Sequence, residues 1–382
     1  MKNSFKKLLI CTLTASLCAC SFFDKDNTPE PAKLVSFKPE ATVQSSWKKS
    51  ANNGAGKEYL KLIPAASPTA IYTASRDGTV TANDKATGRT LWSVGTGTHI
   101  SGGPSAGDGL VLVGTREGDV IALYQADGRL AWKAAASSEV LAAPAIHNNI
   151  VLAKSISGKL SAFSAQDGHT LWEYHQTEPT LILRGASSPQ ISNGTVIAGF
   201  ANGDLANLSL KGGNMIWQQP IAIPQGSFAI ERMIDVDADP VIYQSRVYAA
   251  TYQGRISALE LATGREIWNH DISSYTGMTN DNEKVYVTDA KSNVWAFDAN
   301  SGSVDWRQTQ LEARNITGPA MMKNYIVVGD MEGYLHWLSK TDGHFIARTK
   351  VTNSGILAAP IVDNNILYVV TMDGHVAAYT VS

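Results

Sequence analysis

Short apolar runs broken by turn residues recur along this chain in fixed phase. A hydrophobic strand opens at residues 71, 111, 151, 196, 247, 285, 326 and 367. Seven residues later stand Gly78, Gly118, Gly158, Gly203, Gly254, Ser292, Gly333 and Gly374. Fourteen residues further come Trp92, Trp132, Trp172, Trp217, Trp268 and Trp306, with Ala347 in the seventh copy. Seven residues before each strand start lies Pro64, Pro104, Pro144, Pro189, Pro240, Pro319 or Pro360, and the sixth copy has Met278 instead.

The first copy shows the logic. Ile71 to Ser75 reads as a strand, and Asp77-Gly78 as its hairpin turn, because glycine accepts a positive φ. Val80 and Ala82 mark a second strand. Thr87-Gly88 closes a second turn, and Arg89-Thr-Leu-Trp92 opens a third strand. The segment after Pro64 supplies the remaining strand; proline cannot donate to a ladder and so suits its start. Each unit is therefore four short strands with no helical periodicity. A sheet that small cannot bury both faces alone, whereas units stacked in a ring cover one another. One tryptophan per unit at constant phase is expected to dock between neighbours. The pattern predicts an all-β, eight-bladed β-propeller of four-stranded antiparallel blades.

The eighth unit stops at Ser382, before its tryptophan strand. Trp47 stands apart near the other end, in Val43-Gln-Ser-Ser-Trp47-Lys48. Residues 42–50 are therefore expected to complete the last blade and close the ring, which makes 42–382 one domain.

The N-terminus reads as an export signal. Lys2, Lys6 and Lys7 precede the mainly apolar stretch Leu8 to Leu17, which is too short to span a bilayer. Leu17-Cys18-Ala19-Cys20-Ser21 resembles a bacterial lipobox, which implies removal of residues 1–19 and acylation (palmitate among the chains) of Cys20. Two or more acyl chains anchor stably. Residues 20–41, rich in Ser, Asp, Asn, Thr, Pro, Glu and Lys, read as a flexible tether. Ser21 in place of the aspartate that retains lipoproteins at the inner membrane favours the outer membrane. The three cysteines are 11, 18 and 20, so the mature body would hold neither a disulfide nor a thiolate metal site. A net charge of −2 shows no basic stripe for nucleic acid.

Candidate chemistry is sparse. The eight histidines form no compact ligand spacing, and there is no G-x-S-x-G elbow. Gly95-Thr-Gly97 and Gly102-Gly103 are followed by no helix, so a phosphate cradle does not fit. The repeat, best seen in Ala258-Leu-Glu-Leu-Ala-Thr-Gly264-Arg-Glu-Ile-Trp268, resembles the tryptophan-docking repeats of quinoprotein dehydrogenases. That likeness implies the fold. The vicinal disulfide and acidic calcium cluster of those enzymes have no counterpart here, so no catalytic, cofactor or metal residue is assigned. A quinone-dependent dehydrogenase or a propeller binding a small molecule in its channel is the competing reading.

Repeat scaffolds carry function where the period breaks. Two connections are long: Trp172 to Trp217 and Trp217 to Trp268. The first holds Glu178-Pro-Thr-Leu-Ile-Leu-Arg-Gly185, with Leu181 and Leu183 alternating to one side and Arg184 beside them. The second holds Glu231-Arg-Met-Ile-Asp-Val-Asp-Ala-Asp-Pro240, with Asp235, Asp237 and Asp239 alternating likewise. The blocks precede consecutive blades and are expected side by side. Apolar anchors next to an arginine and carboxylates suit a protein interface. An Arg–Asp pair tying the loops together, or a cation site on the Asp row, would use the same residues.

The lipobox, eight tryptophan repeats without cofactor residues, L-x-L-R-G in one insertion, D-V-D-x-x-P in the next and Gly329-Asp-Met-Glu-Gly-Tyr-Leu-His-Trp337 resemble the BamB family over essentially the whole chain. That family is the lipoprotein subunit of the outer-membrane β-barrel assembly (BAM) machinery. The resemblance implies a non-enzymatic periplasm-facing scaffold that binds the POTRA domains of BamA and aids insertion of β-barrel proteins. It implies contact through Leu181, Leu183, Arg184, Asp235 and Asp237. Exposed blade edges could also pair with extended outer-membrane protein precursors by β-augmentation.

Overall fold

The computed structural model describes residues 29–184 and 187–382. The expected signal peptide and Cys20 lie outside the described residues, as does Gly185 of the first insertion. Eight four-stranded antiparallel sheets are present. Blade one comprises Ala65–Ala66, Ala70–Ala74, Thr79–Asp84 and Thr90–Gly95. The two middle strands of each blade are its most buried: Ala70–Ala74 and Leu110–Thr115 are buried throughout, and strands such as Ile150–Lys154 nearly so. The outermost strands alternate or face solvent, as in Thr90–Gly95.

Each tryptophan of the repeat reaches into the next blade. Trp92 Nε1 donates to the Gln125 carbonyl at 2.9 Å, Trp132 to Ala165 at 2.8 Å, Trp172 to Leu210 at 2.8 Å and Trp217 to Leu261 at 2.9 Å. Trp268 and Trp306 continue the series to Ala299 and Lys340, both at 3.0 Å. The ring lies on the glycine of the neighbour's outer turn. At Gly88, Gly128, Gly168, Gly213, Gly264, Gly302 and Gly343, φ is between 69° and 78°, and a Cβ would meet the indole at 2.5–2.7 Å. Only glycine satisfies both the left-handed turn and that approach.

Closure follows the expectation for residues 42–50. Val43–Ser50 pairs antiparallel with His375–Val381, from Val43 opposite Val381 to Ser50 opposite His375. Trp47 donates to the Lys85 carbonyl of blade one at 3.1 Å and lies on Gly88. The degenerate Ala347 now has a reason. Blade eight has no outer hairpin for a blade-seven tryptophan to sit on, because its third strand ends at Val381 and its fourth begins at Val43. The chain ends are tied instead by Thr42 and Ser382, whose N–H groups each donate to the other's carbonyl at 3.0 and 3.1 Å.

One expectation needs correcting. The tether proposed for 20–41 does not run loose to its C-terminal end. From Ala32 the chain lies along blade seven. Arg314 donates to the Ala32 carbonyl and Arg348 to that of Val35, both at 2.9 Å. Phe37 stacks on Phe345 with ring centroids 5.3 Å apart. Polar composition concealed the pair Val35 and Phe37, which alternate as a short apolar strip and pack against the core between blades six and seven.

Candidate functional site

The two insertions leave the propeller on the same face and are in direct contact. The second one first buries itself. Met233 to Ala238 is buried and threaded between blades four and five: Val236 N–H donates to the Phe200 carbonyl at 3.1 Å, and Tyr252 N–H to the Asp235 carbonyl at 3.0 Å. Asp235 Oδ2 accepts from the Leu183 N–H at 2.6 Å. Asp239 Oδ1 accepts from the Ser188 N–H at 2.6 Å. Two carboxylates of the second insertion thus hold the backbone of the first.

The side chains sort into two layers. Leu181 and Arg184 are outside, with Leu181 44% exposed and the Arg184 side chain 61% exposed. Leu183 is half-buried beside them. Arg184 Nη2 donates to both oxygens of Glu139, at 2.9 and 2.8 Å, and Glu139 is itself buried. This fixes the guanidinium on the rim of a cavity of about 780 Å³, lined also by Leu183, Tyr59, Arg116, Tyr252 and Tyr275. Beneath lies the second layer. Asp235 is only 1% exposed and Asp237 is likewise buried. The resemblance implies contact through Asp235 and Asp237, yet both are buried; because Ile234, Val236 and Ala238 between and beside them are buried as well, the whole segment is enclosed rather than one side of it. Arg184 is paired with Glu139 rather than with an aspartate. No group of three or more potential metal ligands occurs among the described residues.

The inner layer is a buried charge cluster. Lys154 donates to Ser187 Oγ at 3.1 Å and to the Gly199 carbonyl. Burial lowers its pKa, and the carboxylates Glu178, Asp237, Asp239 and Asp235 pull it back up. Burial pushes Asp235 up to about 7, with Asp237 and Glu178 adding to the rise and the Leu183 N–H and Lys154 opposing it. Burial likewise raises Asp237 to about 6 against Lys61 and Lys154. Lys61 donates to the carbonyls of Asp237, at 3.4 Å, and of Tyr275. Glu178 accepts from the Asn202 N–H at 3.1 Å. The lysines are held by carbonyls and a hydroxyl and act on the carboxylates at longer range, so removing one charge leaves the others less compensated.

Sequence reasoning missed Lys154, Lys61, Glu178 and Glu139. Lys154 carried a signal. Its phase is occupied elsewhere by Ala74, Gly114, Gly199, Ala250, Thr288, Gly329 and Val370, so one long cation ends an otherwise apolar strand series. Glu139 stands in an ordinary connection and has no such mark.

A tryptophan-locked ring with one elaborated face, and no assembled catalytic group among the described residues, defines a repeat scaffold of the propeller class. Comparison with known proteins narrows this. The family model for "Outer membrane protein assembly factor BamB" matches residues 76–308 and 305–382. The factor of that name from Pseudomonas aeruginosa is 42% identical over 377 residues, 99% of each chain. That from Alkalilimnicola ehrlichii is 45% identical over 336 residues, 88% of each. The crystal structure of BamB from Moraxella catarrhalis superposes with a TM-score of 0.82 at 27% identity, covering 89% of this chain and all of that one. The chain belongs to the BamB family of outer membrane protein assembly factors. A quinohemoprotein alcohol dehydrogenase from Comamonas testosteroni has a TM-score of 0.72 at 12% identity, which is a likeness of fold alone. The family is one of assembly factors, not of dehydrogenases.

Proposed function

We propose that this chain is a scaffold lipoprotein of the BAM complex, held at the outer membrane by acylated Cys20 and facing the periplasm. Its first insertion binds the POTRA domains of BamA, and the ring supports insertion of β-barrel proteins. The lipobox supports the anchor, and no helix among the described residues is long and apolar enough to cross a membrane. The observation that carries the binding role is the outer layer: Leu181 and Arg184 project from a loop whose backbone is clamped by Asp235 and whose guanidinium is held by Glu139. Pre-fixed anchors lose little freedom on binding, which is the condition for a strong contact. Leu181, Leu183 and Arg184 are the contact residues. Asp235 and Asp237 act from beneath as positioning residues. Arg184→Glu combined with Leu181→Ala should abolish co-purification with BamA; the reversal also leaves buried Glu139 facing a like charge and lowers the melting temperature, so Leu181→Ala alone, with the Arg184–Glu139 pair intact, is the control that weakens co-purification without that cost. Persistent co-purification would remove this assignment.

A further inference from the structure

The second insertion has an exposed half that the reading above does not use. Between its roots the chain rises as Ile223-Pro-Gln-Gly-Ser-Phe228-Ala-Ile230-Glu231-Arg232. Ile221, Ala222, Met233 and Ile234 at the roots are buried. At the tip the polarity inverts: Ile223 is 68% exposed, Phe228 70% and Ile230 62%. Single exposed aliphatic residues are ordinary, as on the outer strands of this ring at Leu91 or Leu171. Three large apolar side chains within eight residues of one loop are not, and such clusters mark interaction sites.

The tip is built rather than slack. Glu231 Oε2 accepts from the N–H groups of Ser227 and Phe228 at 2.8 and 3.0 Å, closing a short turn over Ala229–Arg232. Gln253 of blade five donates to the Ile230 carbonyl at 3.0 Å, and Arg255 to that of Ile221 at 2.5 Å. The loop stands over a cavity of about 350 Å³ whose wall is largely polar, with Gln225, Glu231, Gln253, Arg255 and Asp271; Ile223 lies on that wall, whereas Phe228 and Ile230 do not line it.

Its position indicates what covers it. Gln253, which anchors the tip, adjoins Tyr252, which lines the same cavity as Leu183 and Arg184. Asp235, two residues from the buried root Met233, holds the Leu183 backbone. Tip and first insertion are thus anchored to adjoining residues, Gln253 and Tyr252 of blade five and the root that carries Asp235. A bilayer would be expected to meet a cationic collar around the apolar tip. Here the only ionisable residues from 221 to 232 are Glu231 and Arg232, which cancel.

We infer that Phe228, Ile230 and Ile223 form a second anchor on the polypeptide that engages Leu181 and Arg184, entering an apolar pocket of that partner beside the surface that takes the arginine. The inference rests on the proposed binding of BamA. The test measures the affinity of the mature chain for the whole periplasmic part of BamA, with the wild type, Arg184→Glu/Leu181→Ala and Phe228→Ser/Ile230→Ser side by side. The tip variant should weaken binding at least tenfold while leaving the melting temperature unchanged. Unchanged affinity of the tip variant, with binding lost in the Arg184 variant, overturns the tip alone. Absence of wild-type binding overturns the parent reading and the tip with it. A parallel sedimentation with phosphatidylethanolamine–phosphatidylglycerol vesicles uses the unacylated chain. Loss of vesicle capture in the tip variant with BamA affinity intact would assign the tip to the membrane and overturn the inference.

Discussion

The ring and its two insertions are held together by opposite means. Around the ring, one contact is repeated at every junction but that between blades seven and eight: an indole donates to a carbonyl of the next blade and lies on a left-handed glycine. It is apolar, nearly identical from blade to blade, and its single polar atom is satisfied. Under the insertions the support is a unique cluster of Lys154, Asp235 and Asp237, which are buried, with Lys61, Glu178 and Asp239 partly buried around them. The ring tolerates uniformity because stacking needs only shape and a donor. The insertions have no neighbouring repeat to stack on. A carboxylate that accepts a backbone N–H fixes a loop at one place, and so sets geometry where packing alone would leave choices.

That contrast can be broken at its strongest point first. Removing residues 42–50 leaves His375–Val381 as a bare edge and Lys85 without its indole. Cooperative thermal unfolding should disappear, read by calorimetry as loss of a single transition; an unchanged melting curve would show that closure is dispensable. Next, Trp217→Ala at an interior junction should cost about 3–5 kcal/mol, the usual loss for a large buried aromatic. A shift of the urea midpoint checks it, and a cost below about 1 kcal/mol would show that the repeated dock is not what joins the blades. The smallest effect sharpens the other side of the contrast. Asp235 is raised to about 7 in the fold and sits near the ordinary carboxylate value when unfolded. The native state therefore holds the extra proton between about pH 4 and 7, and stability falls as pH rises through that window. Asp235→Asn keeps an acceptor for the Leu183 N–H and removes the titration. Its melting temperature should gain on the wild type as pH rises from 5 to 8. A difference that is flat with pH would show that Asp235 does not titrate there.

The architecture was legible because it repeats. Strand starts, turn residues and tryptophans recur in register, and Trp47 was readable as the dock missing from blade eight because six others defined its context. Ala347 looked like decay of the repeat, and only the assembled blade eight, with no outer hairpin, explains it. The strap from Ala32 was misjudged because polar composition outweighed Val35 and Phe37; that Arg348 of blade seven and Arg314 of the connection into it wait for its carbonyls is a fact of three dimensions.

The candidate site divides in the same way. Sequence alone determined that the insertions adjoin, that Leu181, Leu183 and Arg184 share one segment, and that Asp235, Asp237 and Asp239 share one side. A two-residue period says that side chains point together and carries no sign for inward or outward. The tertiary structure decided burial, by enclosing the whole second segment and placing Lys154 and Lys61 around its carboxylates and Glu139 where the arginine lies. Local spacing is set by backbone geometry, which is written along the chain. Burial and pairing are set by residues 33 to 214 positions away, which meet only when the ring closes.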